Sequence, residues 1–168
     1  MIKQLRMLAL AAALAVTGTL VAPRAAFAEP RQEDHNRALI AQSFEAWRNR
    51  TGGPYDLLAD DAVWTITGNS LASKTYPSRE AFMSEVIRPF NARMATPLSP
   101  TIRQLYAEGD TVVAFFDASG TARDGQPYSN TYAWFLDMKD GRIVRAHAFF
   151  DAIAFDDFWR RVSPQPAP

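Results

Sequence analysis

The sequence predicts an α+β domain in which helices pack on one face of a curved antiparallel sheet, and three observations carry that prediction. Helical periodicity is confined to the first half of the chain and a short segment near its end. Four extended runs follow one another in the second half with no helix between them. Two Asp-Gly pairs, Asp124-Gly125 and Asp140-Gly141, stand where hairpins join the last three runs. Helices first and an antiparallel meander last is the pattern of helices segregated to one side of a sheet.

The elements follow in order. Residues 1–28 read as a secretory signal: Lys3 and Arg6 precede an apolar stretch over 7–22, and Ala26-Phe27-Ala28 supplies small residues where a signal peptidase cuts. That stretch is shorter than the roughly 20 residues a bilayer span needs, and Thr17-Gly18-Thr19 interrupts it, so no stable membrane anchor is expected. Removal of the leader from 168 residues leaves 168 − 28 = 140, one domain over 29–162, with a periplasmic or secreted location. Ile40, Phe44 and Trp47 then line one face of a helix over 34–50, which Gly52-Gly53-Pro54 stops. A helical turn at 55–58 leads into a strand at 62–67. Ser78 caps a second helix with Phe82, Val86 and Phe90 on one side, kinked or ended by Pro89. Strands are predicted at 101–106, 112–122, 128–136 and 143–150, then a helix at 154–161 and a disordered Pro-rich tail at 163–168.

Three strings carry a resemblance: Leu57-Leu58-Ala59-Asp60-Asp61-Ala62-Val63-Trp64, the helix opening Ser78-Arg79-Glu80, and the closing run from Asp140-Gly141-Arg142-Ile143-Val144 to Asp151. Over nearly all of 34–162 the chain resembles the nuclear transport factor 2 like superfamily, in its SnoaL-like and ketosteroid-isomerase-related branch. The resemblance implies a cone-shaped curved antiparallel sheet with N-terminal helices over its concave face, the cystatin-like α+β roll, enclosing a deep apolar pocket. It also implies a homodimer through the outer sheet face. Members include isomerases, cyclases, dehydratases, epoxide hydrolases and non-catalytic binders, so the fold alone does not assign an activity.

Parity in the last hairpin decides which side chains line the pocket, because a one-residue slip exchanges the two faces. With a three-residue loop Lys139-Asp140-Gly141, Tyr132 faces Ala148, Trp134 faces Ala146 and Asn130 faces Phe150. With only Asp140-Gly141 in the loop, Tyr132 faces Phe149, Trp134 faces His147 and Asn130 faces Asp151. Volume favours the first, since large Tyr132 and Trp134 beside small alanines fill one layer. The expected ligand-binding residues are then Trp64, Tyr128, Asn130, Tyr132, Trp134 and Phe150, with Ile66, Val144, Ala146 and Ala148 completing the lining. An aromatic surface with a few hydrogen-bonding groups is how small-molecule pockets are built. The outward set, Ser129, Thr131, Arg145, His147 and Phe149, suits a paired surface.

Composition excludes several functions. Eighteen basic residues balance eighteen acidic ones, and without Lys3, Arg6 and Arg24 of the leader the balance is 15 − 18 = −3, which leaves no cationic nucleic-acid footprint. The absence of Cys removes disulfides and thiolate chemistry, and His35 and His147 are the only imidazoles, so neither a metal nor a cofactor is expected. By the resemblance, an isomerase base falls at Ile66, an oxyanion-hole acid at Ala133 or Tyr132, and a cyclase or hydrolase acid at Ala148, none of them carboxylates. Candidates for catalysis are Tyr132 with Asp117, which faces it across a two-residue Asp124-Gly125 loop, and Asp151, whose plainer role is a helix N-cap. Asp60 and Asp61 read as a turn pair, and His147 as a surface residue. The expected function is an exported pocket protein binding a small, mostly apolar molecule, non-catalytic or weakly catalytic. The alternative is an isomerase, cyclase or dehydratase for a carbonyl-bearing apolar substrate, with Tyr132 and Asn130 polarising the carbonyl and Asp117 or Asp151 moving the proton.

Overall fold

The computed structural model describes residues 31–165, so the leader expected at 1–28 and the last residues of the expected tail lie outside the described residues. Helix α1 spans Gln32–Arg48 and buries Ile40 and Phe44. A short 3-10 turn, Pro54–Leu57, carries the chain into β1, Leu58–Ile66. Strand β2, Thr75–Tyr76, was not legible as an element of its own. Helix α2, Arg79–Phe82, runs through a π-helical turn, Met83–Ile87, into α3, Arg88–Asn91. Strands β3, Met94–Glu108, β4, Thr111–Ala122, β5, Pro127–Lys139, and β6, Arg142–Phe150, precede α4, Ala152–Arg161.

Among the described residues the six strands form one curved sheet in the order β2-β1-β6-β5-β4-β3. It is antiparallel throughout except where β1 pairs parallel with β6, Trp64 lying beside Ala146 and Ile66 beside Ala148. That pair corrects the purely antiparallel prediction. Two strands far apart in the chain are brought together by the intervening helices and meander, which leave no turn signal between them. Asp60 and Asp61 belong to β1, exposed at its irregularity between Leu58 and Val63, and do not form a turn.

Ser78 caps α2 through its hydroxyl, as predicted, but Pro89 neither ends nor breaks the helical run. The chain widens by one residue just before it, where the Arg88 N–H reaches back to the Met83 carbonyl. Pro89 has no N–H to return and its ring crowds the carbonyl of the preceding turn, and a wide turn relieves both demands. The last hairpin resolves differently from expectation. Asp140 and Gly141 both have positive φ, 50° and 75°, so the loop is a two-residue type I′ turn and not the three-residue loop predicted. Lys139 pairs with Arg142 and Met138 with Ile143, then Asp137 pairs with Arg145, which leaves Val144 as a bulge. Beyond it Trp134 faces Ala148 and Tyr132 faces Phe150. Asn130 therefore does not oppose Phe150, yet the bulge restores the parity, and the large inward residues stay inward.

Candidate functional site

The concave face carries Trp64 and Ile66 from β1, Tyr132 and Trp134 from β5, and Ala148 and Phe150 from β6. Helical residues close the other side: Trp47 of α1, Tyr55 of the 3-10 turn, and Phe82, Val86, Ile87 and Phe90 of the run 79–91. The π turn matters here, because it sets the angle at which Val86, Ile87 and Phe90 reach the same space. The cavity they enclose with Leu98 and Phe155 holds about 50 Å³. It is narrow because aromatic rings fill much of the cone. Trp64 stacks on Phe82 at 4.4 Å, Trp134 meets Trp64 edge to face at 5.1 Å, and Phe116 stacks on Tyr132 at 4.9 Å.

Four of the six ring or amide residues expected to hold a ligand line this cavity: Trp64, Tyr132, Trp134 and Phe150. Tyr128 and Asn130 share the face but stand behind it as a hydrogen-bonded support. The Asn130 side chain accepts from the Asp151 N–H at 2.9 Å and donates to the Asp151 carbonyl at 3.0 Å, which fixes the orientation of its amide. Its second N–H donates to the Tyr128 hydroxyl at 3.2 Å, and the Tyr128 hydroxyl lies 3.0 Å from that of Tyr132. Either hydroxyl can donate across that contact, so one of the two phenol protons is left without a partner among the described residues. The Tyr132 ring lines the cavity. Burial pushes the Tyr132 phenol well above its ordinary range, with the nearby Tyr128 adding to the effect, so its hydroxyl stays protonated.

Neither candidate acid joins Tyr132. The loop after β4 is Arg123-Asp124-Gly125, closed by Ala122 N–H to Gln126 carbonyl at 2.9 Å, so Phe116 and not Asp117 faces Tyr132. Asp117 turns to the outer face, where it accepts from Thr131 and Arg103 at 2.6 Å each. The Thr131 hydrogen bond first, and the Arg103 guanidinium with it, hold that carboxyl below its usual range. Asp151 caps α4, accepting from the N–H groups of Ile153 at 2.9 Å and Ala154 at 3.3 Å. Ile66 and Ala148, where the resemblance places acids, do line the cavity as apolar residues. His147 is exposed on the outer face opposite Phe135. Among the described residues no Asp, Glu, His or Lys lines the cavity, and no three metal-ligating side chains gather.

Tyr55 was missed. It follows the helix stop directly, held there by Pro54 and by the Gly53 N–H donating to the Asp56 carboxylate at 2.8 Å. Its ring lies within 6.1 Å of those of Trp47, Trp64, Phe82 and Trp134. Burial, then the neighbouring Tyr128, drives its phenol pKa far upward. The legible signal was a proline-opened turn with an aromatic in second place.

A cone of curved sheet closed by helices around an apolar cavity defines a class of pocket folds, and comparison with known proteins places the chain within it. The model of the SnoaL-like domain family matches residues 33–146, and the chain belongs to that family. Among solved structures it is similar to a nuclear transport factor 2 like protein from Burkholderia thailandensis E264, 22% identical, covering 78% of this chain and 98% of that one at a TM-score of 0.60. A Bacillus subtilis protein provisionally named an isomerase is 22% identical, covering 79% and 96% at 0.58. A Jannaschia sp. CCS1 protein provisionally named a SnoaL-like polyketide cyclase is 17% identical, covering 76% and 92% at 0.56. At these identities the likeness shows the fold. No curated protein sequence matches the chain.

Proposed function

We propose that the protein is an exported pocket protein that binds a small, mostly apolar molecule between the sheet and the helical run 79–91, with no acid-base machinery of its own in the cavity. The observation that carries this reading is the lining: aromatic and aliphatic side chains, Tyr132 among them, and among the described residues no carboxylate or imidazole. A general base must come within hydrogen-bond reach of the proton it takes. Asp117 is on the opposite face and Asp151 is committed to a helix cap. The names of two similar structures favour the alternative of an isomerase or cyclase, in which Tyr132 polarises the substrate. The leader favours export, and the outward set with the exposed rings of Phe135 and Phe149 favours a homodimer.

Titration of isotope-labelled protein with cyclohexanone tests the reading. The expected result is saturable movement of the Ala148 and Trp134 signals, unchanged affinity in Asp117→Asn, and α-protons of the ketone exchanging with solvent deuterium no faster than in buffer alone. Signals moving only on the outer face, or an Asp117→Asn variant that loses binding, overturns it.

A further inference from the structure

The closed cavity is smaller than the molecules its lining suits. One benzene-sized ring takes a cavity of roughly 150 Å³. This one has about 50 Å³. The missing room lies beside it. A surface hollow of about 290 Å³, between the helix stop at Gly52-Gly53 and the helical run 79–91, shares Trp47, Tyr55, Ile87, Phe90 and Leu98 with the cavity, so that only side chains stand between the two. A second hollow of about 400 Å³ adjoins it at Trp47 and Leu98.

Leu98 is the part of that wall held least firmly. It lies on β3, an edge strand of the sheet, where pairing with β4 is interrupted between Thr96 and Ser99, and Pro97 beside it has no N–H to pair. Trp47 and Ile87 stand on continuous helical backbone. The strand at 97–98 can therefore shift without breaking ladder hydrogen bonds, and local opening of that kind costs little. The mouth outside it is polar and balanced in charge. Exposed Asn91 stands on the rim of both hollows, with Asp56 on one and Arg50 on the other. Opposite charges there favour neither an anion nor a cation, whereas the Asn91 amide donates and accepts and so matches a hydroxyl.

We infer that the binding site is the cavity and the first hollow joined through Leu98 as a gate, and that its ligand is an elongated neutral amphiphile of the alkyl alcohol class, with its chain in the cone and its polar end on Asn91. The inference rests on the pocket reading above and adds to it a length, an end group and a gate. Each methylene drawn from water into the aromatic cone strengthens binding, and a chain passing Leu98 keeps its hydroxyl at the wet rim, where no buried partner is needed.

The probes are 1-butanol, 1-hexanol and 1-octanol, titrated into the native protein and into Leu98→Trp, whose larger ring fills the gate. Native affinity is expected to rise about fourfold for each added methylene through 1-octanol. In the same titration 1-octanol moves the Ala148 methyl and Asn91 side-chain amide signals with one midpoint. Leu98→Trp flattens the series, and Asn91→Ala weakens 1-octanol binding by about fivefold. Should Leu98→Trp not fold, the Leu98 methyl signals of the native protein take its place, and they move with 1-octanol. A native series flat in chain length, or Asn91 and Leu98 signals unmoved by 1-octanol, overturns the inference, and the pocket reading stands if cyclohexanone still moves Ala148. Octanoate bound more tightly than 1-octanol also overturns it, by giving the mouth a preference for charge. Binding of neither the alcohols nor cyclohexanone overturns the inference and the pocket reading together.

Discussion

Tyr132 concentrates the chemistry of the site in one hydroxyl. It shares a hydrogen bond with the Tyr128 hydroxyl, which also accepts one from Asn130, so the three groups form one chain. Replacing Tyr132 by Phe removes that hydroxyl and almost no volume, so the folded ring still stacks on Phe116. The expected loss in stability is about 1 kcal/mol by denaturant unfolding. A much larger loss makes the hydroxyl a part of the fold and not a group that serves the cavity. Asp117 illustrates the opposite case. Its position in β4 suggested reach to the phenol, and the one extra residue in the Arg123-Asp124-Gly125 loop turned it to the far face. A single residue of loop length moved a carboxylate from candidate base to surface ion pair.

At the scale of elements, Asn130 ties α4 to the sheet through both backbone groups of Asp151, whose side chain then caps the helix. Asn130→Ala leaves those groups and the Tyr128 hydroxyl short of partners in a buried place, and a loss of about 2 to 3 kcal/mol is expected by chemical unfolding. Asp151→Ala, losing only the cap, is expected to cost about 1 kcal/mol. A smaller effect for Asn130→Ala than for Asp151→Ala contradicts this ranking. The sequence made the parity of the last hairpin legible, because large Trp134 needed a small partner, which Ala148 supplies, although Tyr132 meets Phe150. It hid the loop length, since a two-residue turn with a bulge at Val144 and a three-residue loop give the same facing. The parallel pairing of β1 with β6 was hidden for another reason: no local pattern in either strand names a partner so distant in the chain. Tyr55 escaped because a turn residue has no periodicity to reveal its side.

For the whole molecule, the buried phenols set the alkaline limit. Tyr55, Tyr128 and Tyr132 all have pKa values raised by burial above the ordinary 10.0. Below pH 10 both folded and unfolded chains keep these protons, so stability is flat. Above it the unfolded chain releases protons that the folded chain retains, and stability falls by up to about 1.4 kcal/mol per pH unit for each such tyrosine. Unfolding and phenolate absorbance are therefore expected to rise together, and Tyr132→Phe is expected to flatten the fall. Phenolate forming while the near-ultraviolet dichroism is still native contradicts it. The outer face makes a second prediction. Phe135 and Phe149 are 40% and 43% exposed with rings 5.8 Å apart, beside His147 and Arg145. Light scattering at tens of micromolar is expected to report a dimer, and Phe149→Asp a folded monomer. A monomeric native protein overturns the proposed pairing.

The measurement closest to the central claim is the affinity of Tyr132→Phe for cyclohexanone, set beside that of the native protein under conditions where both are folded. A hydroxyl donating to the ligand oxygen inside a dry cavity predicts binding weaker by about tenfold. Equal affinity in the two proteins contradicts the claim that this hydroxyl is what the pocket offers its ligand.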